Sequence, residues 1–591
     1  MGKENAAWTA DRMEYGMQVR QLKISKFRGI GALDWKPQSP LCCLIGVGDT
    51  GKSTVLDAIE AALSSRWLTF SEVDFLDGDT ATPICVEVTI GELSKALKSD
   101  ERFGLYIRGW SATGTLNDEP EDGDEPVLTV RLTVDATMEP VWELVRDSAS
   151  NPRTLSNRDR ALFGLVRLAG DDARHLTWGQ GSVLAKLTGN ADDTARNLAD
   201  AYRTARSSAK LDTVTALADA AKAAQTQASA LGAYVQDEYG PGLELLRGGF
   251  STSSIALHDG GVPLRLAGLG TRRLATLAIQ RSAITEGAVV LIDEIEHGLE
   301  PHRVIGAIAR LKEAQAAAAT ERKPVGQLLM TTHSDVAIGE IEARNLYVGH
   351  RDRASKRIEF QAPSILAAFA KLMKKTPRAL FARRILICEG VTEVGLLLGF
   401  RDPFCVRNGG VPVEQRGVAF ADGEGTQAPQ LAVALATLGY PVALYRDSDR
   451  PLTPDETRDI AATGVAVFQY DGMMDTETAL FTAASDAQVQ ALLDYARTEK
   501  TEESVAATLK ARDAELTPET TSLAFNTWEL FVTADGAALR ATLAEVASKR
   551  NWFKELHSGR AIAPIAWEIV EHAPASAFSM CVRALEAWLY A

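Results

Sequence analysis

The chain is poor in the features that would place it in a membrane, a disulfide frame or a basic nucleic-acid coat. Its 591 residues contain six cysteines, Cys42, Cys43, Cys85, Cys388, Cys405 and Cys581. None are paired at metal-ligand spacing and several sit in apolar runs, so the expectation is buried, reduced thiols in the cytoplasm. No apolar run approaches the roughly 18 residues that a membrane-spanning helix requires. Residues 1–17 have no apolar core of the secretion-signal kind and are expected to form a mobile tail. Basic charge is in deficit, with a formal net charge of −15. That argues against a histone-like binder and leaves room only for a local basic groove. The candidate is "KLMKKTPRALFARR" (371–384), six basic side chains with no acid; a solvated linker helix is the competing reading. What remains is ordinary for a globular protein, 46% hydrophobic and 24% charged, and long enough for three or four domains, roughly.

The pattern along the chain is α/β. "QVRQLKISKFRGI" (18–30), "PICVEVTI" (83–90) and "VLTVRLTVD" (127–135) alternate as half-buried strands do. "LCCLIG" (41–46) and "AVVLI" (288–292) are wholly apolar, as strands covered on both faces are. Between about 155 and 240 the sequence is Ala-rich, almost free of Gly and Pro, and spaced as a helix. From "RRILIC" near 379, short apolar strands alternate with helices, which implies a second, parallel sheet. The last hundred residues read as mainly helical. The expected boundaries are a tail at 1–17, sheet segments at 18–150 and 251–378 around a helical insertion at 151–250, and a second α/β domain at 379–591.

"GVGDTGKST" (46–54) has the spacing G-x-x-x-x-G-K-[ST], with a buried strand before it and a helix pattern after it. Gly46, Gly48 and Gly51 free backbone N–H groups to face phosphates at a helix N-terminus. Lys52 would neutralise the β/γ-phosphates, Ser53 would hold Mg²⁺, and Thr54, just after the motif, is a further nucleotide-binding candidate. "VVLIDEIEHGLEP" (289–301) then ends an apolar run in Asp293, suited to orient Mg²⁺, and Glu294, suited to activate water. "LLMTTHSD" (328–335) is a further apolar run that presents His333 at its end, placed to touch a γ-phosphate. A second constellation follows. "RRILICEGVTEV" (383–394) ends a strand in Glu389-Gly390 with Glu393 next, and "YPVALYRDSDRP" ends another in Asp447 and Asp449. Groups at the carboxyl ends of parallel strands meet in one crevice, and hard carboxylate oxygens suit Mg²⁺ or Mn²⁺.

The first constellation resembles the ABC-type ATPases of the SMC and RecF group, down to "LKISKFRGI" as first strand. The resemblance implies ATP held between two heads, with a signature segment here matched by "LAGLGTRRLATLAI" (266–279), Gly268 and Gly270 included. Ala267 replaces the usual serine, and no Gln loop is placed. Glu-Gly followed by Asp-x-Asp resembles the Toprim domain, a Rossmann-like fold. The fusion of the two resembles the OLD (overcoming lysogenization defect) nucleases from about residue 18 onward, including Gabija-type members. That resemblance implies a homodimer formed through the helical insertion and a DNA endonuclease with one Mg²⁺ at ATP. It also implies two metals on Glu389, Glu393, Asp447 and Asp449, with Asp475 and Glu477 as further ligands. It makes Lys554 a catalytic lysine that offsets phosphate charge, with Arg560 as rival and an idle surface lysine as the bland reading. Bacterial anti-phage defence, sometimes beside a helicase-like partner, is the implied setting. Two alternatives stay open: a RecF-like repair ATPase whose Toprim domain only binds DNA, and a sensor acting through a partner on RNA.

Overall fold

The computed structural model describes residues 16–149, 151–168, 257–259, 262–285, 287–320, 325–364 and 366–591, with isolated positions between 176 and 222. Most of the expected dimerisation insertion, 151–250, therefore lies outside the described residues. The chain divides into two compact units. One comprises residues 1–42, 53–332 and 353–357; the other comprises 43–52, 333–352 and 358–591. The second unit thus gathers the P-loop as far as Lys52 and the segment after "LLMTT" as well as the C-terminal α/β region.

In the first unit, β1 (Gln18–Phe27) pairs antiparallel with β2 (Ile30–Trp35) and with β4 (Ile84–Gly91). β4 in turn pairs with β5 (Glu125–Val134). Their alternation buries Leu22, Ile24, Val86, Val88, Val130 and Leu132 while Lys23 and Glu87 face outward, as a period of two requires. A second set of strands is parallel: β6 (Val166–Leu168), β7 (Val290–Ile292) and β8 (Leu328–Thr331), in that order. All three are buried throughout, with Arg167 in β6 and Thr331 at the end of β8 as their polar residues, as expected where helices cover both faces of parallel strands. β6 falls within the range 151–250 expected to be helical. Three residues, Val-Arg-Leu, are too short a run to show a period, so only its pairing to β7 reveals it.

In the second unit, β3 (Leu41–Ile45) runs from the first unit into the P-loop and pairs in parallel with β9 (Leu346–Arg351) over Cys43–Ile45. The C-terminal region holds a separate four-stranded sheet. Its order is β11 (Val418–Asp422), β10 (Arg384–Cys388), β12 (Val442–Arg446), β13 (Ala466–Gln469), all parallel. β10 comes first in sequence but sits second in space, so the chain leaves it in one direction for β11 and returns past it for β12. That reversal opens a crevice at the carboxyl ends, where ligands bind in open α/β sheets. The core beneath is continuous with the helical tail: Leu386, Tyr445, Leu480, Trp528, Phe553 and Leu585 belong to one buried cluster.

Two helices meet beside this crevice with little more than backbone between them. A Cβ on Gly395 of α3 (Val391–Gly399) would lie 2.4 Å from the Leu556 carbonyl, and one on Gly559 of α5 (Leu556–His572) would lie 2.3 Å from that of Thr392. The Thr392 hydroxyl also donates to the Phe553 carbonyl at 3.0 Å. The glycines are therefore what lets the segment bearing Lys554 reach α3. Among the described residues, no helix is long and apolar enough to cross a membrane.

Gly559→Ala should lower stability by about 1–3 kcal/mol through overpacking. Gly306→Ala, whose Cβ meets nothing within 4 Å, should instead raise it by about 0.5–1 kcal/mol. Thermal melts of the two variants beside the parent protein check the contrast; equal shifts would dismiss the close-packing account.

Candidate functional site

In the P-loop, Gly46 and Gly51 have φ of +149° and +79°, backbone that side chains resist. A Cβ at Gly46 would also press on the Gly349 carbonyl at 2.7 Å, whereas one at Gly48 would meet no atom. Gly48 thus borders open space on the side where phosphate would enter. The buried Lys52 ammonium donates to the Gly46 carbonyl at 3.0 Å and to Thr50 Oγ1 at 3.3 Å. α1 (Lys52–Leu63) starts directly at this lysine and carries Ser53 and Thr54 in its first turn. His333 follows β8, and its ring lies 6.1 Å from that of Phe381.

Within the first unit, Ser53 Oγ donates to Asp293 Oδ1 at 2.9 Å. Thr331, at the end of the adjacent strand, donates to the same oxygen at 2.6 Å. Asp293 Oδ2 accepts from Arg167 at 3.1 Å. Ser53 and Asp293, distant in sequence, are therefore brought together as a Mg²⁺-binding pair requires. The next residue, Glu294, stands at φ +45° with its side chain half exposed, 3.6 Å from His297. Arg273 donates to the carbonyls of both Asp293 and Glu294, at 2.6 and 2.9 Å. It belongs to α2 (Leu269–Thr285), the helix that Gly268 and Gly270 precede and open. A Cβ on Gly270 would touch the Gly298 carbonyl at 3.0 Å, while Gly268 faces no atom. Gly270 is a packing glycine, and Gly268 is the one that borders free space.

The second constellation assembles at the carboxyl ends of β10 and β12. Glu389 Oε2 accepts from the Asp447 backbone N–H at 3.0 Å. Glu393 Oε2 caps its own helix on Gly390 N–H at 2.9 Å. Its other oxygen accepts from the Thr476 hydroxyl at 2.8 Å, and that hydroxyl also reaches Asp447 Oδ1 at 3.0 Å. Thr476 opens α4 (Thr476–Ala483), which Asp475 caps by accepting from Thr478 N–H at 2.8 Å. Ser448, between the two aspartates, exchanges hydrogen bonds with Met474, N–H to carbonyl at 2.9 Å and Met474 N–H to Oγ at 2.8 Å. The Asp-Ser-Asp turn is thereby stitched to the Asp475 loop, leaving Asp449 exposed at its tip. Sequence reasoning missed Thr476 and Ser448, although each lies next to a residue it singled out. Lys554 and Arg560 are both exposed. The Lys554 charge reaches Glu477 and favours its ionised form.

The electrostatics are those of acids crowded out of water. Burial, with the charges of Glu393, Glu389 and Glu477, pushes Asp447 up to about 9. Burial and Asp475 push Glu477 up to about 7, and burial raises Glu389. Each shift means that removing a proton leaves a charge the site compensates poorly. A divalent cation would supply that compensation. Glu477 Oε1 is buried with no hydrogen-bond partner, an orphaned acceptor that a cation could satisfy. The donor set, oxygen only, fits Mg²⁺ or Mn²⁺. Among the described residues, no three His, Cys, Asp or Glu side chains stand together closely enough to hold a metal ion. The basic run 371–384 is not a bare stripe. Lys371 and Lys375 pair with Glu424 at 2.8 and 2.6 Å, and Arg378 pairs with Asp335 at 2.7 Å.

Residues 190–339 match the family of AAA domains described as putative AbiEii toxin of a type IV toxin–antitoxin system. The match takes in Asp293, Glu294 and His333 and covers about a quarter of the chain. No curated protein matches the chain. Among solved structures, an SMC head bound to the C-terminal winged-helix domain of ScpA is 16% identical with a TM-score of 0.33, over 58% of this chain and 97% of that one. The Smc head of Pyrococcus furiosus with an extended coiled coil, bound to the C-terminal domain of ScpA, is 12% identical with a TM-score of 0.32, over 61% and 100%. The SMC head of Thermotoga maritima is 14% identical with a TM-score of 0.28, over 59% and 100%. The family match and the P-loop geometry agree on an ATPase domain of the AAA type, which implies ATP as its nucleotide together with Mg²⁺.

Asp447 and Glu477 hold their protons more tightly folded than unfolded. The stability they contribute is complete below their ordinary values of 3.8 and 4.5 and is lost as the pH rises through about 7 and then about 9. The metal-free protein should therefore melt at progressively lower temperature between pH 5 and 9. Asp447→Asn should flatten that slope, and Mn²⁺ should raise the melting temperature most at the alkaline end. A slope unchanged in Asp447→Asn would rule this account out.

Proposed function

We propose that the chain is a metal-dependent DNA endonuclease of the OLD kind, controlled by its ATPase domain. The observation that carries the reading is the set Glu389, Glu393 and Asp447, linked through the Asp447 N–H and the Thr476 hydroxyl beside the orphaned Glu477 oxygen. Buried acids from separate segments are costly to gather, and a fold with no use for them gains nothing by doing so. Glu389, Glu393, Asp447 and Asp449 would hold the metals, with Asp475 and Glu477 as additional ligands. Two such ions supply activated water on one side of the phosphodiester and charge stabilisation of the leaving oxygen on the other.

The residues of the chain do the rest. The Asp447 N–H orients Glu389 and keeps one of its oxygens engaged. Thr476 fixes the separation of Glu393 and Asp447. Lys554, whose charge already reaches Glu477, offsets negative charge that builds on the phosphate. Tyr445 and Tyr470 are fully buried and bonded to each other, so neither is a nucleophile for covalent strand transfer. ATP binding at Lys52 and Ser53 sets the assembly or DNA access of a homodimer in the cytoplasm. Defence against phage, alone or beside a helicase-like partner, is the setting that suits such an enzyme.

Supercoiled plasmid incubated with Mg²⁺ or Mn²⁺ tests this. The wild type should nick or linearise it. Asp449→Ala should be slower by ~100-fold or more, the upper end of what losing even an outer-shell partner costs a metal site. Lys52→Ala should lose ATP binding and keep some cutting. Intact plasmid, linear DNA and RNA with every metal and nucleotide would defeat the nuclease reading and favour a DNA-binding ATPase.

A further inference from the structure

Arg167 is a buried cation that the sequence did not single out. It stands in the middle of β6, in register with Leu291 of β7, and its side chain is 2% exposed. Its Nη2 donates to Asp57 Oδ1 at 2.8 Å and to Asp293 Oδ2 at 3.1 Å. Its Nε lies 3.8 Å from Glu60 Oε2. Asp57 and Glu60 are three apart on α1, hence on one face of the helix that the P-loop opens. Asp293 ends the neighbouring strand. One planar guanidinium thus ties the phosphate-binding helix to the Asp-Glu strand.

The consequence is directional. With Oδ2 held by Arg167, Oδ1 is the oxygen that meets Ser53 and Thr331. A carboxylate free to rotate about its χ2 would spread its lone pairs over many directions. Backbone adds to the anchoring, since Asp293 N–H donates to the Leu168 carbonyl at 2.9 Å, one residue beyond Arg167. The far end of the network is fixed as well: Arg28 pairs with Asp57 Oδ2 at 2.6 Å and with Asp74 at 2.9 Å.

We infer that Arg167 is a positioning residue for the magnesium–nucleotide site, orienting the Asp293 carboxylate toward Ser53 and locking α1 to β7. This rests on the ATP-binding reading given above. A purely structural role for Arg167 would require only a positive charge among three acids, which lysine also provides. The positioning role requires the planar Nη2, whose two N–H groups point one to each carboxylate, because an ammonium is a compact, freely rotating point charge that holds no such plane.

Arg167→Lys separates the two. The test is equilibrium binding of ATPγS to the full chain, with Mg²⁺ and in EDTA, beside wild type and Lys52→Ala. Wild type should bind more tightly with Mg²⁺. Arg167→Lys should match wild type within about 3-fold in EDTA yet lose the gain from Mg²⁺, with the Mg²⁺ needed for half-maximal binding raised about 10–100-fold. An unchanged Mg²⁺ requirement in Arg167→Lys, with the melting temperature preserved, overturns the inference. If Arg167→Lys does not fold, Arg167→Met/Asp57→Asn, which keeps the net charge of the cluster, is judged by the same two outcomes. If Lys52→Ala binds as wild type does, the nucleotide reading itself fails and the inference goes with it.

Discussion

A hydroxyl group has one proton to give, and at Thr476 two carboxylates ask for it. Glu393 and Asp447 both lie within hydrogen-bond reach of that oxygen, and the buried Tyr470 hydroxyl contacts it at 3.1 Å. With both acids ionised, one of them faces a lone pair. The arrangement is stable only if the second acid carries its own proton or meets a cation. The crevice architecture follows from this constraint. Parallel strands deliver acids to the same edge, and the elements around them serve to hold that edge closed against repulsion. Ser448 stitches two loops together, Glu393 caps the helix it sits on, and glycines bring α5 against α3.

The two constellations meet the same electrostatic problem in opposite ways. Around Asp293 the acids are answered by arginine: Arg167 sits among Asp57, Glu60 and Asp293, and Arg28 backs Asp57. Its acids are thus paired with arginine before any ligand arrives, as suits a place where a nucleotide brings its own cation. Around Asp447 compensation is thin. Arg446 approaches Glu389 no closer than 3.9 Å, and Lys554 acts on Glu477 from the surface. Burial therefore raises Asp447, Glu477 and Glu389 with little to offset it. A divalent cation would offset that crowding of acids, and the contrast sets the two sites apart.

Much of this was legible in the sequence because it is local. The P-loop is one contiguous segment, and its glycine spacing states its backbone directly. Apolar runs ending in Asp293, Glu389 and Asp447 announce buried strands with chemistry at their ends, since a strand covered on both faces leaves few other places for a charge. The basic run at 371–384 shows where that locality ends. Its positive charge is real, but a one-dimensional reading does not see Glu424 and Asp335, which lie elsewhere in the chain and pair with it.

Sequence alone determined the element types, the nucleotide loop and the acids at strand ends, because backbone geometry and burial act over a few neighbouring residues. Only the tertiary structure decided which acids share a donor, which oxygen of Asp293 faces Ser53, and that Arg167 and Thr476 matter. An arginine in a three-residue strand and a threonine at a helix start are unremarkable by composition. Their importance comes from partners brought close by sheet pairing, and hydrogen bonds depend on distances of about 3 Å that no spacing along the chain specifies.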